Sequence, residues 1–389
     1  MTHGTPRRDF LLGQTAADRE AASAGEVFNL SSNEPFLVHL SRKAMAGEFE
    51  ICLPVAIAGE ATAAALEALD LVQSLEAQLS FFNPDSDISE INREAAEAAV
   101  EVEPRLFALL QLALQLCRDS GGAYDLSATS LWEAWGFARR AGAIPSPAQL
   151  AEAQALVGGQ WIELDEAEKT IRFLRKGVRL NLGSIGKGYA VDRAVEHLLA
   201  AGVSDFLVHG GYSSVAARGS AVGQPFQADS PHAGQARVPC THGRPDLLSS
   251  PWTIGVKDPL RDERRLGQVE LHDRALGTSG AQFQSFRHRG QRYGHILDPR
   301  TGRPADGVLS VSVLAPTAAA ADALSTAFYV MGPEAAMSYC QSHPSLAAII
   351  FAPLAGNRWQ LHHHGLAEES ADLLAALTKP WLLGAMPTR

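Results

Sequence analysis

The sequence predicts an α+β fold, with mixed sheets and packed helices. Three observations predict it. Several stretches carry apolar residues at helical spacing. Others are short β-rich runs bounded by turn residues. The two kinds follow one another without the regular alternation of a βα-repeat protein. A length of 389 residues allows about two or three domains of ordinary size.

Taken in order, residues 1–35 are small and polar and read as a loosely held arm. From Ala61 to Ser80, Leu66, Leu69, Val72, Leu75 and Leu79 recur at helical spacing, and Asn83-Pro84-Asp85 breaks the pattern. A second helix runs from Pro104 to Asp119 and stops at Gly121-Gly122, and a third covers Pro147 to Leu156. Trp161–Leu164 and Thr170–Leu174 flank Asp165–Lys169 as a hairpin. A helix over Gly188–Leu199 precedes an apolar strand at Phe206–Val208. The segment 220–250 is rich in Gly, Ala, Pro, Ser and His without periodicity, and reads as an insertion or surface loop. Strands resume at Trp252–Val256, Gly267–Leu271 and Leu309–Leu314, followed by helices over Ala318–Met331 and Pro333–Ser342 and a strand at Ala347–Phe351. The organisation is thus an arm (1–35), a main domain (36–355) and a C-terminal extension (356–389) whose tail, from Leu361 on, ends in a short amphipathic helix.

Composition narrows the function. The chain is 46% hydrophobic and 20% charged, with a net charge of −10, which argues against a nucleic-acid partner. No apolar run reaches the ~20 residues of a membrane span. Cys52, Cys117, Cys240 and Cys340 are far apart with no CxxC pair, so they read as unpaired thiols of a reducing compartment and a zinc site is not expected. Arg7-Arg8 with Phe10-Leu11-Leu12 resembles a twin-arginine export signal. Asp18, Arg19 and Glu20 cut its apolar region short, so a cytoplasmic location is expected, with export as the alternative.

Four segments carry chemistry. Tyr293–Ala305 puts His295, Asp298 and Arg300 on a turn stiffened by Pro299, Gly302 and Pro304, which suits an aimed imidazole base. Asp298 either orients His295 or caps the turn. Leu180–Ala194 places Gly183, Gly186 and Gly188 around Lys187 where a strand meets a helix, a phosphate cradle without the Walker pattern. In Ala315–Ala336, Asp322 and Thr326 share one helix face and offer oxygen ligands suited to Mg²⁺. That helix is too poor in charge to face solvent, so Asp322 is expected to be buried with a partner. Ser120–Phe137 joins Tyr124 and Asp125 to Trp132 and Trp135, a loop able to hold a flat ring system.

Together these segments resemble the ApbE-type flavin transferases, FAD:protein FMN transferases. The resemblance runs from about Met45 to Phe351. Asn181–Asp192 matches D-L-G-G-I-A-K-G-Y-A-V-D, and Gly294–Gly302 matches S-H-I-I-D-P-R-T-G. Ala315–Thr326 matches A-P-T-x-x-x-A-D-A-L-x-T, Ser80–Asn92 matches S-x-Y-x-P-x-S-x-I-S-x-x-N, and Gly122–Asp125 matches the start of G-A-F-D-P-T.

The resemblance implies an ApbE/T-fold-like architecture with an FAD site in a cleft between subregions. It also implies Mg²⁺ as cofactor, FAD as substrate, and transfer of FMN to a Thr or Ser hydroxyl of a target flavoprotein, releasing AMP. Asp322 and Thr326 match metal-ligand side chains, and Ser184 would add a backbone carbonyl. Met45, Phe82, Ala123, Tyr124, Asp125, Asn181, Lys187 and Ile296 match FAD-contacting positions, His295 matches the catalytic histidine, and Thr278-Ser279-Gly280 matches a turn beside the site. The chain departs from the family pattern at Asn181 for Asp, Phe82 for Tyr, Tyr212 for an acid or amide, Ala281 for Asp, and in the 220–250 insertion. The alternatives are an FAD pyrophosphatase, with water as acceptor, and a catalytically decayed FAD-binding protein.

Overall fold

The computed structural model describes residues 37–219, 225–226, 251–280, 284–355 and 358–366. The expectations for residues 1–35, Arg7-Arg8, Ala281, Cys240, most of 220–250 and the end of the tail lie outside these residues.

An eight-stranded antiparallel sheet organises the chain: β1 (Leu37–Ala44), β2 (Gly47–Pro54), β3 (Phe206–Gly210), β4 (Ser214–Arg218), β5 (Ala275–Gly280), β6 (Ser310–Ala315), β7 (Ala347–Leu354) and β8 (Arg358–His364). Spatial order follows chain order, β1 to β8. Helices α1 (Val55–Leu79), α2 (Asp87–Glu94), α3 (Pro104–Asp119), α4 (Thr129–Ala134), α5 (Pro147–Gln154) and α6 (Gly186–Ala200) all lie in the connection from β2 to β3. Helices α7 (Ala318–Met331) and α8 (Pro333–Gln341) lie between β6 and β7.

Strand alternation divides the apolar residues between two faces. Phe206 and Val208 join Phe49, Ile51 and the inner sides of α1, α6 and α7 in the main core. Leu207, with Cys52, Val215 and Ile349, packs on the opposite face against a smaller sheet of Pro225–Phe226, Trp252–Asp258 and Arg261–Leu271. A third cluster joins Leu131, Trp135 and Phe137, from the β2–β3 connection, to Leu297, from the β5–β6 connection. The two long excursions from the sheet are therefore fastened to each other away from it.

Helix α3 matches its expected bounds because its start and stop are both written in the sequence: Glu103 caps the helix through Arg105 and Leu106 N–H, Pro104 stands at its first position, and Gly121-Gly122 follows its end. The hairpin β1–β2 falls where no strand was expected. Its turn residues Met45 and Ala46 have φ of 51° and 59°, which would ordinarily call for Gly or Asn, so the sequence carries no turn signal there. The segment Arg358–His364 is also a correction: expected in an extension, it forms the eighth strand, paired with β7.

Candidate active site

Two glycines bring three elements together. A methyl group at Gly188 would lie 2.1 Å from the Ala318 carbonyl oxygen, and one at Gly277 would lie 2.4 Å from the Ala321 carbonyl carbon. With no Cβ at either position, α7 packs backbone-close to both α6 and β5. Asp192 strengthens the crossing by accepting the Ala318 and Ala319 N–H groups at 2.7 and 2.8 Å, a carboxylate on the N-terminus of α7.

This crossing buries Asp322. Its carboxylate accepts the Gly188 N–H at 2.8 Å and the Ser214 hydroxyl at 2.7–2.8 Å. Burial pushes its pKa up to about 7, while Lys187, Ser214 and Gly188 pull it back. The buried Asp with partners, expected from the sequence, is observed. Thr326 lies one turn on, its hydroxyl 3.3 Å from Ser279 Oγ, and Ser279 Oγ is 2.7 Å from Ser325 Oγ. Thr278-Ser279-Gly280 is thus the end of strand β5 and not a turn, and every residue of it pairs with β6. Ser184 lies in the turn before α6, close enough to the buried Tyr124 hydroxyl to lower a phenol pKa that burial raises. Carboxylate and hydroxyl oxygens around a buried anion, with no ion pair to Asp322 among the described residues, are a donor set that fits Mg²⁺.

Lys187, the second residue of α6, hydrogen-bonds Ser213 Oγ. Its charge acts both on Asp322 and on His295. His295 is half-buried, and its Nδ1 lies 3.0 Å from the Gln284 carbonyl. A carbonyl can only accept, so Nδ1 donates and Nε2 of the neutral ring keeps its lone pair. Burial lowers the His295 pKa, the Gln284 contact opposes this, and Lys187 adds to the lowering. Asp298 does not touch the imidazole: it accepts the Arg300 N–H and guanidinium at 2.9–3.1 Å, and so caps the turn.

The remaining expected contact residues fall into two groups. Phe82 is exposed, with Phe81 at 5.4 Å and Trp132 at 6.2 Å between ring centroids, which makes an open aromatic platform. The motif around it is scaffold. Ser80 Oγ accepts the Phe82 and Asn83 N–H groups, and Asn92 clamps both backbone groups of Leu180 at 2.7 and 3.0 Å. Asn181, next along, turns its Oδ1 to Gly183 N–H and gives its own N–H to the Leu126 carbonyl. The platform, the 123–126 turn and the Lys187 helix are therefore tied through backbone contacts.

Ala123, Tyr124 and Ile296 have buried side chains, so a ligand would meet chiefly their main chain. The Asp125 carboxylate is held within its own neighbourhood by Ser127 and Gly159 N–H. Beside it is a cleft of about 540 Å³ lined by Arg118, Gly122, Asp125, Gly158, Pro299 and Arg300, between the two fastened excursions. Met45 sits in the β1–β2 turn, half-buried against the main core. Sequence reasoning missed Ser213 and Ser214, because β4 (Ser-Val-Ala-Ala-Arg) has neither length nor β-branched enrichment to mark it as a strand.

Comparison with known proteins agrees with this arrangement. Residues 45–350 match the model of the ApbE family. This chain belongs to that family. It is similar to the FAD:protein FMN transferase of Treponema pallidum, 32% identical over 303 residues that make up 76% of this chain and 79% of the relative. It is 27% identical to the FAD:protein FMN transferase of Haemophilus influenzae over 322 residues, 80% of this chain and 85% of the relative. Among solved structures it resembles the ApbE protein of Thermotoga maritima (TM-score 0.69, 28% identity, 84% of this chain and 97% of that one). It also resembles the flavinyl transferase ApbE of Pseudomonas stutzeri in its apo form (TM-score 0.70, 26% identity, 88% and 98%). No described helix is long and apolar enough to cross a membrane.

Proposed function

We propose that this ApbE-family chain is an FAD:protein FMN transferase that uses Mg²⁺ and moves FMN from FAD to a Thr or Ser hydroxyl of a target flavoprotein, releasing AMP. The observation that carries the reading is the position of Lys187, whose charge acts on the Asp322 carboxylate and on the His295 imidazole at once. A phosphate bound at Lys187 would lie within reach of both the acidic oxygen cluster and the base.

Each residue has a part that follows from its chemistry. Asp322 and Thr326, with the backbone at Ser184, would hold Mg²⁺, which supplies charge stabilisation to the phosphate oxygens when bound. Lys187, in the first turn of α6, holds the pyrophosphate. Phe82 stacks on a ring of the flavin nucleotide, and the main chain at Ala123, Tyr124, Asp125, Asn181 and Ile296 lines its path, with Met45 at the far edge. His295 Nε2 takes the proton of the acceptor hydroxyl as the hydroxyl oxygen bonds to the FMN phosphorus. The bond from that phosphorus to the bridging oxygen breaks, and AMP carries the oxygen away. The lowered pKa of His295 keeps the ring neutral and able to accept a proton near pH 7.

Three free buried cysteines, Cys52, Cys117 and Cys340, suit a reducing compartment, which supports the cytoplasm over export. The test is incubation of the full chain with FAD, Mg²⁺ and a candidate flavoprotein, read by mass spectrometry. Attached FMN on a Thr or Ser is the expected result. Free FMN alone identifies a pyrophosphatase, and intact FAD with retained binding identifies a flavin carrier.

A further inference from the structure

The outer face of the main sheet, opposite the helices, carries a second cluster of ligand-type side chains. Strand register assembles it. His39 of β1 stands across from Cys52 of β2, and Glu50 of β2 stands across from His209 of β3. Glu50 and Cys52 are two residues apart, so they share a face. His39 Nδ1 is 2.6 Å from Glu50 Oε1, Cys52 Sγ is 3.3 Å from Glu50 Oε1 and 3.5 Å from His39 Nδ1, and His209 Nε2 is 3.7 Å from Glu50 Oε1.

These separations are those of a coordination shell. Four ligands at the usual Zn–N, Zn–O and Zn–S lengths stand about 3.3–3.8 Å apart in a tetrahedron. The separations of Cys52 Sγ from Glu50 and from His39 already lie at those values. Only the His39–Glu50 hydrogen bond is shorter, and an ion entering between the two would replace its proton. The three ligand atoms lie within 4.8 Å of one another, with His209 a buried neighbour of Glu50 outside that group. Burial grades the site from inside to outside: Cys52 is fully buried, Glu50 is mostly covered, and His39 is half exposed, which leaves one side open for entry and for a water as fourth ligand. An imidazole, a thiolate and a carboxylate select a borderline or soft divalent ion. Mg²⁺ and Ca²⁺ take oxygen ligands and would be rejected.

We propose that His39, Glu50 and Cys52 form a binding site for a divalent transition metal of the Zn²⁺ class, separate from the oxygen-lined Asp322 site on the other side of the sheet. Such an ion would tie edge strand β1 to β2. It would also hold Glu50 beside the His209 ring, which stacks on Tyr212 at 4.9 Å, next to the Ser213 that holds Lys187.

The test uses the full chain, stripped of metal under reducing conditions and kept in excess Mg²⁺. It is titrated with Co²⁺, then with Zn²⁺. The expected result is one equivalent of Co²⁺ bound with a thiolate-to-metal charge-transfer band, bleached by Zn²⁺. Cys52→Ser should remove the band. His39→Ala, a surface change that leaves the core intact, should weaken binding by on the order of 10–100-fold or more. Absence of the band in the unaltered chain at saturating Co²⁺ would overturn the proposal, because the three side chains would then be a cross-strand hydrogen-bond network only. A band of full strength in Cys52→Ser would overturn it too, by assigning the thiolate to another cysteine.

Discussion

The two ends of the active site are held in different ways. Asp322 is set by main chain: it lies where two glycines let three elements approach within van der Waals limits, and its partners are a backbone N–H and a short hydroxyl. His295 rests on a single main-chain carbonyl, that of Gln284, and the loop that carries it is held by side chains. Its loop is capped by Asp298, anchored by Trp135 Nε1 on the Gly302 carbonyl at 2.8 Å, and packed into the small third cluster. The first end holds fixed charge and has little room to move. The second depends on a few aromatic contacts. A transferase needs both: an unvarying phosphate site and a base that can be reached by a bulky partner.

The largest effect should come from the fixed end. Asp322→Ala is expected to abolish FAD turnover with the fold retained, measured by AMP release alongside circular dichroism. Full turnover in that variant, or in excess chelator, would remove the carboxylate end from the mechanism. His295→Ala should slow FMN attachment by about 10²–10⁴-fold and leave FAD affinity unchanged. In the unaltered chain the acidic limb of the rate profile should fall below pH 6.5, because burial and Lys187 favour the neutral ring. A limb at or above 6.5, or one that persists in His295→Ala, would assign the base elsewhere.

The third variant sharpens the contrast in rigidity. Gly188→Ala drives a methyl group into the Ala318 carbonyl, and should cost about 3 kcal/mol of stability in chemical denaturation. A comparable change on the imidazole side, Gly290→Ala, meets no atom within 4 Å of the added Cβ. Its positive φ of 80° limits the expected loss to about 1 kcal/mol. Equal losses would show that the two ends are not differently constrained. On the platform, Phe82→Ala should leave stability unchanged and weaken FAD binding by about 1–3 kcal/mol in a fluorescence titration, on the scale of aromatic stacking on a base.

The same division decides what the sequence discloses. Helix α7 is legible from Ala318 to Met331 because its small and apolar residues follow helical order and its capping Thr317 stands in place. Asp322 is conspicuous there as the one acid. Strands β4 and β5 are not legible. Thr278-Ser279-Gly280 is expected as a turn, yet it ends a strand in which Gly277 is kept small so that α7 can lie on it. The β1–β2 hairpin is hidden by a turn of Met45 and Ala46 in a conformation their side chains disfavour. Cross-strand neighbours such as His39 and Cys52 depend on register, which no local spacing displays. The expectation of no zinc site was drawn from cysteine spacing alone, and so could not see such a cluster.

The chain-ordered sheet has a consequence for how such a protein can grow. Strands β2 and β3 are direct neighbours, yet six helices leave and return between them. Both stems of that excursion emerge side by side, so lengthening it raises only the entropy of closing a loop. That cost increases by about 0.6 kcal/mol for each doubling in length. The ladder therefore acts as a spine with open slots, each able to take a new lobe at small cost, and substrate range can diversify at the tips while the eight rungs keep their register.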